Sequence, residues 1–415
     1  MQSGSMNNLP IILQSLPTSK QVMRITVVTE TYPPEINGVA MTIGRMVSAL
    51  QQRDHQIQLI RPRQSDLDVP VQDDHIEEVL QRGMSIPRYD GLKMGLPAKT
   101  ALLRLWTIKR PDIVHIATEG PLGWSALSAA NKLKIPTSTD FHTNFHVYSK
   151  HYGFGWLRKP IIAYLRKLHN KALCTMVPTE GIRKELFECG YDNLIVVKRG
   201  VDTALFNPGK RSQALRSQWG AGEKDLVVLY VGRLAPEKNL PLVVSAFNKM
   251  RQKRPEAKLV LVGDGPERNE MEHLNPEHIF AGMRTGEDLA AHYASADAFL
   301  FPSTSETYGN VTMEAMASGL AVVAYNYAAA AEHIRNGKNG LVAEYDNARH
   351  FTEQAVALAG DEVALSKLGK NARFTAQNID WKDIYDQFEQ VLLKIVNRGE
   401  SNDSKTSLET SQPVG

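Results

Sequence analysis

Two glutamates, Glu306 and Glu314, stand eight residues apart within the segment Phe301-Pro302-Ser303-Thr304-Ser305-Glu306-Thr307-Tyr308-Gly309-Asn310-Val311-Thr312-Met313-Glu314. The first falls in a loop after an apolar run and the second lies a turn into the helix that follows. A loop carboxylate can accept hydrogen bonds from sugar hydroxyls, and one inside the helix can grip the paired hydroxyls of a ribose. Gly309 and Asn310 open that helix, so its free backbone N–H groups and positive dipole end face the same region. The neighbours Met313, Ala315 and Met316 are core-like. That leaves little open solvent face, so a charge at Glu314 needs a partner. Upstream, Gly232-Arg233-Leu234-Ala235-Pro236-Glu237-Lys238-Asn239 follows another apolar run. Gly232 lets a ligand approach the backbone, while the planar fork of Arg233 and the point charge of Lys238 suit the oxygens of a diphosphate.

The elements that must hold these residues are strands of a parallel sheet with crossover helices, because apolar runs of strand length alternate with amphipathic stretches. The first series reads as a strand over Arg24–Thr29, a helix to about Gln52, and strands at Ile57–Arg61, Asp112–Ile116 and Thr137–Phe141. The pattern restarts with strand Leu226–Val231, helix Leu240–Lys253, strand Lys258–Val262 and the turn Gly263-Asp264-Gly265-Pro266. Strands Ile279–Ala281, Ala298–Phe301 and Ala321–Ala324 follow, with helices at Asn310–Ser318 and Trp381–Val396. Two successive series predict two doubly wound α/β domains, with a seam in the turn-rich stretch Gly200–Pro208. Ligands of such sheets bind beyond the carboxyl ends of the strands, so two facing domains enclose a cleft.

A chain of 415 residues exceeds one compact core. The expected division is an N-terminal extension at 1–22, a first domain at 23–203, a second at 204–380, a crossing helix at 381–400 and a disordered Ser/Thr-rich tail at 401–415. Hydrophobic residues at 42% and charged residues at 22% describe an ordinary globular chain, which excludes global disorder and fibrous repeats. No apolar run approaches the ~18–20 residues of a membrane-spanning helix. Two cysteines, Cys174 and Cys189, are too few for a disulfide framework or a zinc cluster and suggest a reducing compartment.

Taken together, Glu306 and Glu314 at this spacing, the Gly232-Arg233 to Lys238 loop and the Gly263-Asp264-Gly265-Pro266 turn make the chain resemble glycosyltransferase family 4. The resemblance covers roughly Met23 to Val396. It implies the GT-B fold of two facing Rossmann-like domains with a C-terminal crossover helix. It also implies a retaining hexosyltransferase that uses a nucleotide-diphosphate sugar as co-substrate, with no other cofactor and no metal. On that resemblance Arg233 and Lys238 hold the diphosphate and stabilise the departing nucleoside diphosphate. Glu306 binds the transferred sugar with the backbone of Tyr308, Gly309, Asn310 and Val311. Glu314 takes the ribose hydroxyls, and Met283 lies beside the base. In the first domain Gly38 approaches the diphosphate across the cleft, and His142, in Asp140-Phe141-His142-Thr143, is the strand-end histidine near the reacting sugar. Three departures stand out. Asn37 replaces a second glycine, Tyr308 stands where the family usually has Phe, and Ala328-Ala329-Ala330-Ala331 replaces a Gly-Gly pair before Glu332.

Formal charge is only +3, but between Phe141 and Thr179 there is no Asp or Glu, and Lys150, Arg158, Lys159, Arg166, Lys167 and Lys171 supply six positive charges. The remainder of the chain is then net −3. Aromatic residues such as Trp156 interleave with these bases, which suits docking on an anionic membrane surface. A core-packing helix with a basic outer face is the plainer reading, and no nucleic-acid motif accompanies the stretch. The similarity is greatest to bacterial lipid mannosyl-, glucosyl- and sulfoquinovosyl-type transferases. It implies a cytoplasmic enzyme, peripheral at the inner face of the plasma membrane. The donor would be UDP-glucose, UDP-glucuronate or GDP-mannose, the acceptor a membrane lipid such as diacylglycerol, and Tyr32 and Glu119 acceptor contacts. Transfer to a soluble glycan, a nucleotide-sugar epimerase of the same fold and a non-enzymatic nucleotide-sugar-binding scaffold are the competing readings.

Overall fold

The computed structural model describes residues 21–35, 37–85, 93–142, 158–379 and 381–409. Lys150 and Trp156, and most of the acid-free stretch before Arg158, lie outside them. Met23, just before β1, has a buried side chain, and its N–H donates to His55 Nδ1 at 3.1 Å. The first sheet consists of β1 (Arg24–Val28), β2 (Gln56–Pro62), β3 (Ile76–Gln81), β6 (Ile113–Ile116), β7 (Thr137–Asp140), β8 (Cys174–Val177) and β9 (Leu194–Val196). It is parallel, in the order β3-β2-β1-β6-β7-β8-β9, and a short antiparallel hairpin of β4 (Gly83–Ser85) and β5 (Lys93–Gly95) stands beside it. The second sheet, also parallel, runs β12-β11-β10-β13-β14-β15, from Ile279–Gly282, Lys258–Val262, Val227–Val231, Ala298–Phe301, Ala321–Tyr325 and Leu341–Ala343. Strands such as Ile-Val-His-Ile in β6 and Val-Val-Leu-Tyr-Val in β10 are buried along their whole length, as a parallel sheet covered on both faces requires.

In each sheet the strand order reverses beside the first strand, between β1 and β6 and again between β10 and β13. These are the positions at which doubly wound sheets open a crevice. Around them stand α1 (Gly38–Gln51) and α2 (Pro121–Lys132) in the first domain, and α4 (Leu240–Arg251) and α5 (Asn310–Ala317) in the second. Helix α3 (Arg158–His169) carries the bases of the acid-free stretch. It packs inward through Leu165 and Leu168, with Lys159, Arg166 and Lys167 exposed.

Helix α6 (Trp381–Glu409) follows the second domain yet packs on the first, which makes it the crossover helix. Its Ile384, Phe388, Leu392 and Val396 share one core with Met23, Ile25, Val27 and Met46. Arg53 donates to Glu389 Oε2 at 3.0 Å, His55 Nε2 lies 2.8 Å from Glu389 Oε1, and Gln387 Nε2 donates to the Val196 carbonyl at 2.8 Å. The sequence placed the end of this helix near Val396 and a disordered tail from residue 401. The helix instead continues to Glu409. Once a helix is nucleated each further residue adds one hydrogen bond for one residue fixed, so polar composition alone does not stop it.

Phe388, 2% exposed, meets the His115 ring edge-on at 5.1 Å between centroids. Phe388→Ala should lower unfolding stability by about 3–5 kcal/mol through the cavity it leaves, measured by urea denaturation. A loss under 1 kcal/mol would mean that the crossover packing carries little of the fold.

Candidate active site

The loops at the two crevices bring the expected residues together. After β10, Gly232 to Asn239 leads into α4, and the Gly263-Asp264-Gly265-Pro266 turn after β11 packs directly on it. A methyl group on Gly263 would lie 1.9 Å from the Gly232 carbonyl oxygen, so only glycine permits that approach. Leu234 N–H donates to Asp264 O at 2.9 Å, and Glu267 N–H donates to Leu234 O at 2.9 Å. The turn therefore fixes the shape of the Arg233 loop. Arg233 remains partly exposed, with Glu237 at 3.9 Å.

Lys238 and Glu306, 68 positions apart in the chain, form an ion pair. The ammonium also lies 3.2 Å from the Ser305 carbonyl and 3.4 Å from Ser303 Oγ, and Ser303 donates to Glu306 Oε1 at 2.7 Å. The charge expected on the diphosphate and the carboxylate expected on the sugar are thus one unit. Gly309 follows at φ +86°, a left-handed conformation costly for any residue with a Cβ, and it starts α5 at Asn310. Glu314, inside α5, accepts from the Tyr293 hydroxyl at 2.9 Å. Burial raises its carboxyl above the usual range, with that hydrogen bond and Arg45 of the first domain acting in the opposite direction. Tyr293 is the partner that Glu314 needed, and nothing in the sequence pairs the two. Met283, after β12, is half exposed at 50%. Ala328, in place of the family's glycine, keeps a glycine-like φ of +50°, and Ala329 N–H donates to the Tyr308 carbonyl at 2.7 Å.

Across the cleft, α1 begins at Gly38, capped by Asn37 through Oδ1 to Ala40 N–H at 2.8 Å. Asn37 is thus a helix cap in place of a second glycine. A methyl group on Gly38 would lie 3.5 Å from Asn310 Nδ2. The N-termini of α1 and α5, one from each domain, therefore face one another, and both direct partial positive charge into the same space.

His142 is buried with its Nε2 2.9 Å from Asp140 Oδ2, the ring turned off the hydrogen-bond line. Arg199 Nη2 donates to the same oxygen at 3.1 Å, and His115 stands 3.8 Å away. In the sequence Asp140 stands out only as part of the histidine motif, and nothing marks Arg199. The one signal available is a carboxylate two positions before the histidine, at the end of a strand. Tyr32 is partly buried, its hydroxyl raised to about 12 by burial and by Glu78. Glu119 is 4% exposed, with His169 Nε2 at 3.5 Å, so in this conformation it offers no surface to an acceptor.

Glu30, at the end of β1, was not singled out from the sequence. Its carboxylate accepts from the N–H of Leu122 at 3.0 Å, at the start of α2, and from that of Gly95. Burial nevertheless pushes it up to about 7, against the lowering effect of those backbone bonds.

Residues 36–205 match the family model described as Glycosyltransferase Family 4, and residues 211–375 match Glycosyl transferases group 1. A GDP-mannose-dependent alpha-mannosyltransferase of Corynebacterium glutamicum is 33% identical over 325 residues, 77% of this chain and 76% of that protein. Sulfoquinovosyl transferase SQD2 of Arabidopsis thaliana is 34% identical over 72% of this chain, and the match spans 60% of that relative's length. An alpha-monoglucosyldiacylglycerol synthase of Acholeplasma laidlawii is 25% identical over 86% of this chain and 93% of that protein. Among solved structures, a sucrose-phosphate synthase from Thermosynechococcus elongatus superposes with TM-score 0.75 at 19% identity, covering 91% of this chain and 100% of that one. Anabaena Alr3699/HepE in complex with UDP and glucose gives 0.69 at 20% identity over 89% and 99%. At such identities the likeness is one of fold.

The Glu30 carboxyl supplies a pH test. Its folded-state value lies above the ordinary carboxylate value of 4.5, so the unfolded chain loses this proton first as pH rises. Stability should fall between about pH 4.5 and 7, by on the order of 3 kcal/mol in total, and then level off. In Glu30→Gln that contribution to the slope should vanish, whatever the variant's absolute stability. Urea denaturation of both proteins at pH 5, 6, 7 and 8 measures it, and parallel curves would show that Glu30 titrates normally.

Proposed function

The chain belongs to glycosyltransferase family 4 and has the GT-B fold, and from that premise we propose that it is a retaining, metal-independent hexosyltransferase. It moves a hexose from a nucleotide-diphosphate sugar to a membrane-lipid acceptor such as diacylglycerol. The observation that carries the donor half is the approach of two helix N-termini, at Gly38 and Asn310, beside the Lys238–Glu306 pair, with Arg233 on the loop that carries Lys238. Backbone dipoles, an ammonium and a guanidinium around one space form a receptor for a diphosphate.

The mechanism follows from that arrangement. Arg233 and Lys238 neutralise the charge that grows on the departing nucleoside diphosphate, which is the role a metal ion would otherwise fill. Glu306 exchanges its contact with Lys238 for the sugar hydroxyls as the diphosphate takes the ammonium. Glu314 accepts from the ribose hydroxyls. The acceptor hydroxyl approaches the anomeric carbon from the face the leaving group vacates, and its proton passes to a phosphate oxygen. The protein contributes position and electrostatics.

The acceptor half rests on the diacylglycerol named in one relative's description and on the exposed Lys159, Arg166 and Lys167 of α3. Among the described residues no helix is long and apolar enough to cross a membrane, so contact with lipid would be made from the surface. UDP-glucose, UDP-glucuronate and GDP-mannose are the donors to be tried.

Thermal shift with UDP, GDP, ADP and CMP and their sugar conjugates tests the donor site, because a ligand of the folded state raises apparent stability. One base family should stabilise the protein, and Lys238→Ala should abolish that shift. No shift with any nucleotide would sink the donor reading. Neutralising Lys150, Arg158, Lys159, Arg166 and Lys167 together should remove binding to phosphatidylglycerol-containing vesicles while leaving nucleotide binding intact. Equal sedimentation of variant and wild type with those vesicles would point to a soluble acceptor.

A further inference from the structure

The loop that carries Glu306 grips the first domain at two points. Thr307 Oγ1 donates to the His142 carbonyl at 2.6 Å, and the Tyr308 hydroxyl donates to the Arg199 carbonyl at 2.8 Å. Those two points are themselves joined, because the Arg199 guanidinium and the His142 ring both contact Asp140 Oδ2. The contacts close a circuit through residues 307, 308, 199, 140 and 142. Glu306 precedes the two gripping residues directly in the chain.

The second grip has one possible arrangement of protons. A carbonyl only accepts, so the single hydroxyl proton of Tyr308 goes to Arg199. His333 Nε2, 3.0 Å from the same hydroxyl oxygen, must then donate. Burial holds His333 down to about 4, so the ring is neutral with its proton on Nε2. Burial likewise pushes the Tyr308 hydroxyl well above its ordinary value, and it stays protonated. Every participant thus has one role, and a phenylalanine at 308 would leave the His333 proton and the Arg199 carbonyl without this partner.

We propose that the side chains of Thr307 and Tyr308 are positioning residues, a two-point clasp that sets Glu306 against His142 across the cleft. The Arg199–Asp140 pair is the anchor to which the clasp attaches. This rests on the reading that Glu306 and His142 flank the transferred sugar. It assigns to the Tyr308 side chain a function that the backbone of this loop does not supply. The nucleotide is held by Arg233, Lys238, Glu314 and the two helix N-termini, none of which the substitutions at 307 and 308 remove, so the clasp acts on the sugar-transfer step and not on nucleotide affinity.

The test uses the full chain with UDP-glucose and GDP-mannose as donors, and UDP and GDP as binding probes. Tyr308→Phe and Thr307→Val should each lower kcat about tenfold with nucleotide Kd unchanged within twofold. The double variant should lose less than the product of the two, since both hold one register. Thr307→Ser, which keeps the hydroxyl, should restore kcat to within twofold of wild type. Hydrogen exchange, which requires no turnover, should rise in segment 196–201 in the Tyr308→Phe variant, across the seam from the substitution. Unchanged kcat in both single variants, or unchanged exchange at 196–201, overturns the clasp. So does a loss of nucleotide affinity matching the loss of kcat. Glu306→Gln and His142→Gln separate the two failures. If these abolish turnover while the clasp variants do not, the clasp alone is wrong. If these retain turnover, the site reading fails first.

Discussion

The Asp140 carboxylate is the constraint on which the seam depends. It is 3% exposed, and a buried ionised carboxylate must be compensated or neutralised. Burial pushes it upward, yet Arg199, His142 and His115 outweigh that and hold it well below the usual carboxylate range. Meeting that requirement dictates the path of the chain. After β9 it must bring Arg199 back, past β8, to the carboxyl end of β7. Once the guanidinium is held there, the Arg199 carbonyl has a fixed position on which the second domain can bond. Removing one member of such a group costs about 3–5 kcal/mol because the remaining charge stays buried.

The same economy governs the cleft. Each sheet delivers a helix N-terminus to its own crevice, so the space between the domains is electropositive from the backbone before any side chain is counted. Three of the acids described above each have a partner. Glu306 has Lys238, Glu314 has Tyr293, and Glu30 has the N–H groups of Gly95 and Leu122. On the proposed reading an incoming diphosphate would compete with Glu306 for the Lys238 ammonium, and the exchange would free that acid for the hydroxyls of the attached sugar.

Most strands of both sheets were legible because a buried parallel strand is a short apolar run. Lys258–Val262 and Ala298–Phe301 fall where the runs predict. The strands that escaped were those whose composition hides them. Ile76–Gln81 has only three apolar residues in six, and Cys174–Val177, Leu194–Val196 and Leu341–Ala343 are only three or four residues long. In the site, spacing along one loop was legible, which is why Glu306 and Glu314 stood out. Pairings between distant segments were not. Lys238 with Glu306, Tyr293 with Glu314 and Arg199 with Asp140 each depend on register between strands that no single segment encodes. Tyr308 looked like a minor departure from phenylalanine, because the significance of its hydroxyl lies in a carbonyl 109 residues earlier.

The chain crosses between the domains twice, after Arg199 and again before α6, and the two crossings touch. A methyl group on Gly200 would lie 2.9 Å from both the Trp381 ring and Ile384 Cδ1, so the first crossing lies flat against the start of the crossover helix. Arg45 of α1 sits 5.5 Å above the Trp381 ring and 3.6 Å from Asp202, tying both crossings to the first domain. Arg199 is the residue immediately before Gly200. The Tyr308 grip therefore lies beside the two crossings, and the loop bearing Glu306 is referenced to the first domain where the chain itself joins the two.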